Sequence, residues 1–164
     1  MSATVSIVEN SAMANPADQR THVEKVNTRY LETLIGYNAR RAALTIIGEF
    51  LDRMAVFGLR PVDFSVLSLI THNPGITSRQ LCTALGILAP NLVGMVNALE
   101  KRALIERHPH PHDRRAAGLY LTDTGQALMR NAEKVASQLE LDTTTKLSAE
   151  ERKTLIKLLK KIYK

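Results

Sequence analysis

The chain has 164 residues, 45% of them hydrophobic, which suits one compact domain, or one lobe on a scaffold shared between two copies, and excludes wholesale disorder. Aromatic residues make up 4% and tryptophan is absent, so the core must rest on Leu, Ile, Val, Ala and Met. Twenty-two Lys and Arg against sixteen Asp and Glu give a net charge of +6, or +12 for a pair of chains, and an isoelectric point near 9.7, a balance that fits a nucleic-acid binder, an acidic membrane surface or plain solubility.

Residues 1–20 are small and polar without a sustained period and read as a flexible N-terminal arm. From roughly Thr28 to Phe57 the apolar residues Leu31, Leu34, Ile35, Ala42, Ile46, Phe50, Met54 and Phe57 recur at spacings of three and four, predicting one long helix. A small lobe cannot cover a helix of that length, and a partner copy is its natural cover. Pro61 suits the first position of the next helix, with Asp63 at its positive end; that helix buries Phe64, Leu67 and Ile70 and stops at Asn73-Pro74-Gly75. Thr77-Ser78-Arg79-Gln80 is a capping box opening a short helix that buries Leu81, Ala84 and Leu85 and ends at Gly86. After a tight connection, a helix from about Pro90 to Arg102 turns Leu92, Met95, Val96 and Leu99 inward.

Then the period changes. Ile105 and Arg107 alternate, as do Leu119 and Leu121, around a turn-rich basic tip, HPHPHDRRAAG, which predicts a β-hairpin. Thr122 caps a helix carrying Leu128, Ala132, Val135 and Leu139. Ser148-Ala149-Glu150-Glu151 is a second capping box, before a last helix with Leu155, Leu158, Leu159 and Ile162. Four helices, a hairpin and two helices make a mainly α protein with a minimal sheet.

Two helices joined at Gly86-Ile87-Leu88 have the dimensions of a helix-turn-helix, whose second member would lie in the major groove of duplex DNA with the basic hairpin as a wing beside it. The expected organisation is a flexible arm over 1–20, an N-terminal dimerisation helix over 21–58, a winged helix-turn-helix DNA-binding lobe over 59–121 and C-terminal dimerisation helices over 122–164. Asn91 and Asn97 carry amides that pair with adenine edges, or else cap and solvate their helix. Arg79 and Gln80, with Ser78, stand in the first turn of the preceding helix, where its N-terminus favours a phosphate, or serve only as capping residues.

From Leu59 to Gly125 the stretches LRPVDFSVLSLI, TSRQLCTALGI, NLVGMVNALEKRALIERHPHPHDRR and LYLTDTG resemble the multiple-antibiotic-resistance regulator (MarR) family; the long first helix and the two last ones match its dimerisation region. Asp-x-Arg followed by Leu-Thr-x-x-Gly, here Asp113, Arg115, Leu121, Thr122 and Gly125, is the most specific part of the likeness. It implies a homodimeric regulator of pseudo-palindromic operator DNA, usually a repressor, often released by a small aromatic or phenolic ligand. Arg115 occupies the place that enters the minor groove, and Asp113 the place that holds its guanidinium; a surface ion pair is the plainer alternative. Arg114, Arg107 and Arg102 add phosphate-neutralising charge or are solvated surface. Pro90, Val93 and Gly94 depart from the Ser, Thr or Arg that many relatives carry on the reading helix, which shifts affinity toward backbone contacts and DNA shape.

For an effector, Tyr37 and Arg41 share a face of the first helix with Arg40 adjacent, so that one Arg can clamp the carboxylate of an aromatic acid; both Arg are otherwise ligands for the partner chain or for solvent. His108, His110 and His112 alternate on the wing, a metal-sensing set or a Pro-stiffened tip that gains charge below about pH 6.5. Cys82, the single cysteine, reads as a small apolar residue near a buried face, with redox sensing the alternative. No catalytic set, metal site or cofactor is expected, since a Gly-rich phosphate loop, a nucleophile elbow and HExxH are all missing from the sequence. No leader segment or apolar run of membrane-spanning length is read, so the expected compartment is cytoplasmic. The competing function is a winged-helix module that binds protein without sequence-specific DNA binding.

Overall fold

The computed structural model describes residues 25–110 and 113–164; the arm read over 1–20 lies outside the described residues, as does His112 of the wing. The chain divides into two units, Met1–Asn38 and Ala39–Lys164.

In the first unit a single turn of helix, α1 (Arg29–Glu32), precedes α2 (Ile35–Met54), so the one long helix expected from Thr28 is broken at Thr33-Leu34. Here the backbone shifts to tighter bonds, Thr33 N–H to the Tyr30 carbonyl (3.2 Å) and Leu34 N–H to that of Leu31 (3.0 Å). The Thr33 hydroxyl donates to the same Tyr30 carbonyl, and the Asn38 amide donates to the carbonyls of Glu32 and Leu34, all at 2.8 Å. Polar side chains thus satisfy the carbonyls that a continuous helix would have used. Apolar spacing continues on both sides of the break, so periodicity could not reveal it.

In the second unit α2 tightens into a 3₁₀ turn, Ala55–Phe57, closed by Gly58 in the left-handed region (φ +58°). There follow α3 (Pro61–His72), β1 (Ile76–Thr77), α4 (Ser78–Leu85), α5 (Ala89–Lys101), β2 (Ile105–His110), β3 (Asp113–Leu121), α6 (Asp123–Thr143) and α7 (Ala149–Tyr163). The sheet runs β1-β3-β2, antiparallel throughout, with Ile105 opposite Leu121 and a register irregularity at Pro109-His110, where proline lacks a ladder donor. β1, two residues long and too short to show a period, was not foreseen. It pairs Ile76 with Leu119 and Thr77 with Gly118, where a Cβ would stand 3.0 Å from the Gly75 carbonyl oxygen.

One core holds the second unit together, with Met54, Leu67, Ile70, Leu81, Leu92, Leu99 and Met129 fully buried in it. Phe50 of α2 meets Phe64 of α3 edge to face at 5.5 Å. On α4 the inward face runs through Leu81, Cys82 and Leu85, and Ala84, expected inside, is exposed. The helix is rotated so that Cys82 takes up the packing expected of Ala84, consistent with the apolar reading of the thiol. α7 buries none of its residues: Leu155, Ile156, Leu158, Leu159, Ile162 and Tyr163 are all exposed on the single chain.

Candidate nucleic-acid interface

α4 opens on the predicted capping box: the Gln80 N–H donates to the Thr77 hydroxyl (3.3 Å), and the Gln80 carbonyl oxygen accepts from the Thr77 N–H and hydroxyl (2.9 Å each). Gln80 is therefore occupied in capping, while Ser78 and Arg79 beside it are exposed. Gly86 (φ +63°) ends the helix and the chain bends by 116° into α5, an angle within the range of helix-turn-helix pairs.

α5 buries Leu92, Val96 and Leu99 and leaves Pro90, Asn91, Val93, Gly94 and Asn97 exposed. A Cβ on Gly94 would meet nothing within 4 Å, so this stretch of backbone is open to close approach. Asn97 is not idle: its carbonyl oxygen accepts from Arg107 of β2 at 2.6 Å, and the same guanidinium nitrogen lies 3.2 Å from Glu100. An adenine edge needs both the oxygen and the nitrogen of an asparagine amide. Asn97 would have to release Arg107 to read one, whereas Asn91 has no side-chain partner among the described residues.

The step from α5 to the hairpin is a Schellman turn: Ala103 N–H bonds the Glu100 carbonyl (2.8 Å), Leu104 N–H bonds that of Leu99 (3.1 Å), and Ala103 carries the left-handed conformation (φ +53°) usually given to glycine. Thr122 fastens the far end of the wing. Its hydroxyl donates to the Ala103 carbonyl (2.6 Å) and accepts from the Gly125 N–H (3.1 Å), and its own N–H reaches the Leu104 carbonyl (3.1 Å). Gly125 has no room for a side chain, since a Cβ would lie 2.0 Å from the Leu104 oxygen. The Leu-Thr-x-x-Gly stretch is thus the joint that sets the hairpin against α5. At the tip, the backbone pairs His110 with Asp113, from which β3 continues through Arg114 and Arg115. The His108 ring donates from Nε2 to the Glu106 carboxylate at 2.8 Å and packs on Tyr120, and no three metal-ligand side chains cluster among the described residues.

Two arginines have partners that the sequence reading missed. Arg102, at the C-cap of α5, donates from its two terminal nitrogens to the carbonyls of Gly58 and Phe57 (2.8 Å each). Arg60 caps α3 with a forked pair onto Asp63 (2.7 and 2.9 Å), while the Arg60 N–H also donates to that carboxylate. Burial raises the Asp63 pKa, but the hydrogen bonds and charge of Arg60, with the charge of Arg102, outweigh it and hold the carboxyl below its ordinary value. Asp63 at a helix start could be read from the sequence; Arg102, whose partners lie some 44 residues away, could not.

Tyr37 in the first unit is half-buried, and Arg40 and Arg41 in the second are exposed, with no side-chain hydrogen bond or ion pair among the described residues. A cleft of about 340 Å³ lies between the end of α3, β3 and α6, floored by Ile70 and Met129 and rimmed by Arg130 and Glu133; neither Arg40 nor Arg41 lines it. No single helix among the described residues is long and apolar enough to cross a membrane.

A bent helix pair with a hairpin fastened to its second helix defines a winged helix-turn-helix protein. The MarR family model matches residues 57–116, from the end of the 3₁₀ turn through the wing. A protein of Thauera aromatica, named as a transcriptional regulatory protein for the hcr operon, is 31% identical over 131 residues, 79% of either chain. The transcriptional repressor CouR, solved on a 23-mer DNA duplex, is 39% identical, with a TM-score of 0.79 over 85% of this chain and 99% of that one. CouR bound to p-coumaroyl-CoA is 38% identical, with a TM-score of 0.74 over 84% and 97%. MarR of E. coli in its apo form is 26% identical, with a TM-score of 0.68 over 80% and 98%. The chain belongs to the MarR family and is a transcriptional regulator of that family, which is not a family of enzymes.

Proposed function

We propose that the protein is a repressor that binds a pseudo-palindromic duplex operator as a homodimer and leaves it when a small aromatic ligand binds. The observation that carries this is a division of surfaces: α5 leaves Pro90, Asn91, Val93 and Gly94 exposed beside the hairpin, while the whole apolar face of α7 stands uncovered on one chain. A second copy is the economical cover for α7, as it is for the exposed Leu31, Leu34 and Ile35 of the first unit. Two copies would set two reading helices about one duplex turn apart, roughly 34 Å.

In this reading α5 lies in the major groove with Pro90, Asn91 and Asn97 at the bases, and Arg115, held by Asp113, enters the minor groove. Arg79 and Ser78 meet a phosphate at the start of α4, which Gln80 serves by holding the cap, and Arg107 and Arg114 flank the backbone. The CouR complexes with DNA and with p-coumaroyl-CoA support both halves of the proposal. They also widen the ligand class from free aromatic acids to their coenzyme A thioesters. A thioester has no free carboxylate, so the Arg40 and Arg41 cations would then serve phosphate oxygens. Ligand acts by preferring lobe positions that mismatch the operator spacing.

The test is footprinting on the DNA upstream of the protein's own gene, with and without hydroxycinnamic acids and their coenzyme A thioesters. Protection that one of these relieves supports the proposal; equal indifference to every duplex at low salt refutes it. A winged-helix protein-binding module would show little of the steep salt dependence that phosphate contacts impose.

A further inference from the structure

We infer that Arg102 is a positioning residue that ties the reading helix to the stem, holding α5 at the angle DNA binding requires and making no phosphate contact of its own. The inference rests on the DNA-binding reading above. Its ground is a junction of three elements. The carbonyls of Phe57 and Gly58 end the helical run of α2 and its 3₁₀ turn, where backbone acceptors lack helical donors and carry the negative end of the dipole. Arg102, 44 residues after Gly58 in the sequence, brings both terminal nitrogens to them at 2.8 Å, a fork that only a guanidinium supplies. Gly58 stands at φ +58°, and a Cβ there would lie 3.4 Å from the Arg102 terminal nitrogen, so turn and arginine are fitted to each other.

The apolar side of the same junction is already closed, because Met54 and Leu59 beside the turn share the core with Val96 and Leu99 of α5. Start of α3 is held separately by Arg60 and Asp63, whose carboxylate also feels the Arg102 charge. Arg102 therefore supplies the polar half of a rigid corner from which α5 projects. The lever is long: thirteen residues at 1.5 Å make about 20 Å, so a tilt of about 5° at Arg102 moves the Pro90 end by about 2 Å, most of a hydrogen-bond length. The two carbonyls take two of the five guanidinium N–H donors and fix the head over the turn, and the two roles, positioning and phosphate contact, are separated by experiment.

The experiment compares full-length protein with Arg102→Lys, which keeps the charge and loses the fork, and with Arg102→Gln. Affinity for the upstream duplex and for a random duplex of equal length is measured across a salt series, with urea unfolding as the check on folding. Positioning predicts that both variants keep a native urea baseline and lose specific affinity about tenfold, with random-duplex binding and the salt slope of Arg102→Lys unchanged. A phosphate contact predicts near-rescue by Lys and, for Gln, uniform weakening with a salt slope smaller by about one. That pattern overturns the inference, as do variants that bind like the parent or that lose the native baseline and assign Arg102 to stability alone. Parent protein that protects no duplex refutes the DNA-binding reading instead.

Discussion

Gly125→Ala tests the joint between wing and reading helix most directly. The added Cβ would lie 2.0 Å from the Leu104 carbonyl oxygen, where ordinary contact begins at 3.4 Å, so α6 must retreat by the difference, 1.4 Å. The obstacle is backbone and cannot swing aside. A shift of that size stretches the Thr122 N–H to Leu104 bond, now 3.1 Å, and the Thr122 hydroxyl to Ala103 bond, now 2.6 Å, past useful range. Two hydrogen bonds at about 1 kcal/mol each and overpacking of about 1–3 kcal/mol, less a helix-propensity gain of up to about 1 kcal/mol, leave a net loss of roughly 2–4 kcal/mol. Urea midpoints at matched protein concentration measure it, because a dimer's stability depends on concentration. Gly94→Ala is the internal control: nothing lies within 4 Å of its Cβ, so it gains about 1 kcal/mol from helix propensity alone. Gly125→Ala unfolding within about 0.5 kcal/mol of the parent would refute the steric argument, since that is the scatter of innocuous surface changes.

The same Gly94→Ala protein, more stable, binds operator DNA more weakly if the α5 backbone approaches the duplex closely, as a mobility-shift titration would read. Ala103→Gly relieves a left-handed alanine and raises stability by about 1 kcal/mol; a lower urea midpoint would argue against strain at this turn. Because the folded Asp63 carboxyl titrates below its unfolded value, its contribution is present above the ordinary carboxylate pKa and lost as pH falls through the folded one. Urea midpoints from pH 6 to pH 3 should therefore fall less steeply for Asp63→Asn than for the parent. Arg115→Ala should weaken operator binding about tenfold and reduce the salt slope by about one. Leu158→Asp on α7 should dissociate the dimer in sedimentation and abolish operator binding with it.

Much of the fold was legible in the sequence because its signals are local. The capping boxes at Thr77 and Ser148, the proline at α3, the glycine ending α4 and the switch from helical to alternating period each act within a few residues, and each appears where the sequence places it. The break at Thr33-Leu34 escaped because apolar spacing runs through it, and the competing bonds come from Thr33 and Asn38 side chains. Ala84, expected inside, lies outside because a two-turn helix offers too few apolar residues to fix its rotation without its neighbours.

The candidate interface divides in the same way. The helix-turn-helix and the basic hairpin could be read from residues alone, since backbone conformation and charge are written into the order of the chain, whereas the Asp-x-Arg and Leu-Thr-x-x-Gly stretches stand out only through the family resemblance. The partners of Asn97, Arg107 and Arg102 could not. An arginine's role depends on which acceptors lie within about 3 Å of its guanidinium, and here tertiary packing brings carbonyls from 44 residues away to Arg102. Sequence determined that this protein would have a basic wing beside a groove-sized helix; only the folded chain decided which acceptors Arg102 and Arg107 meet, because those acceptors are brought to them by packing.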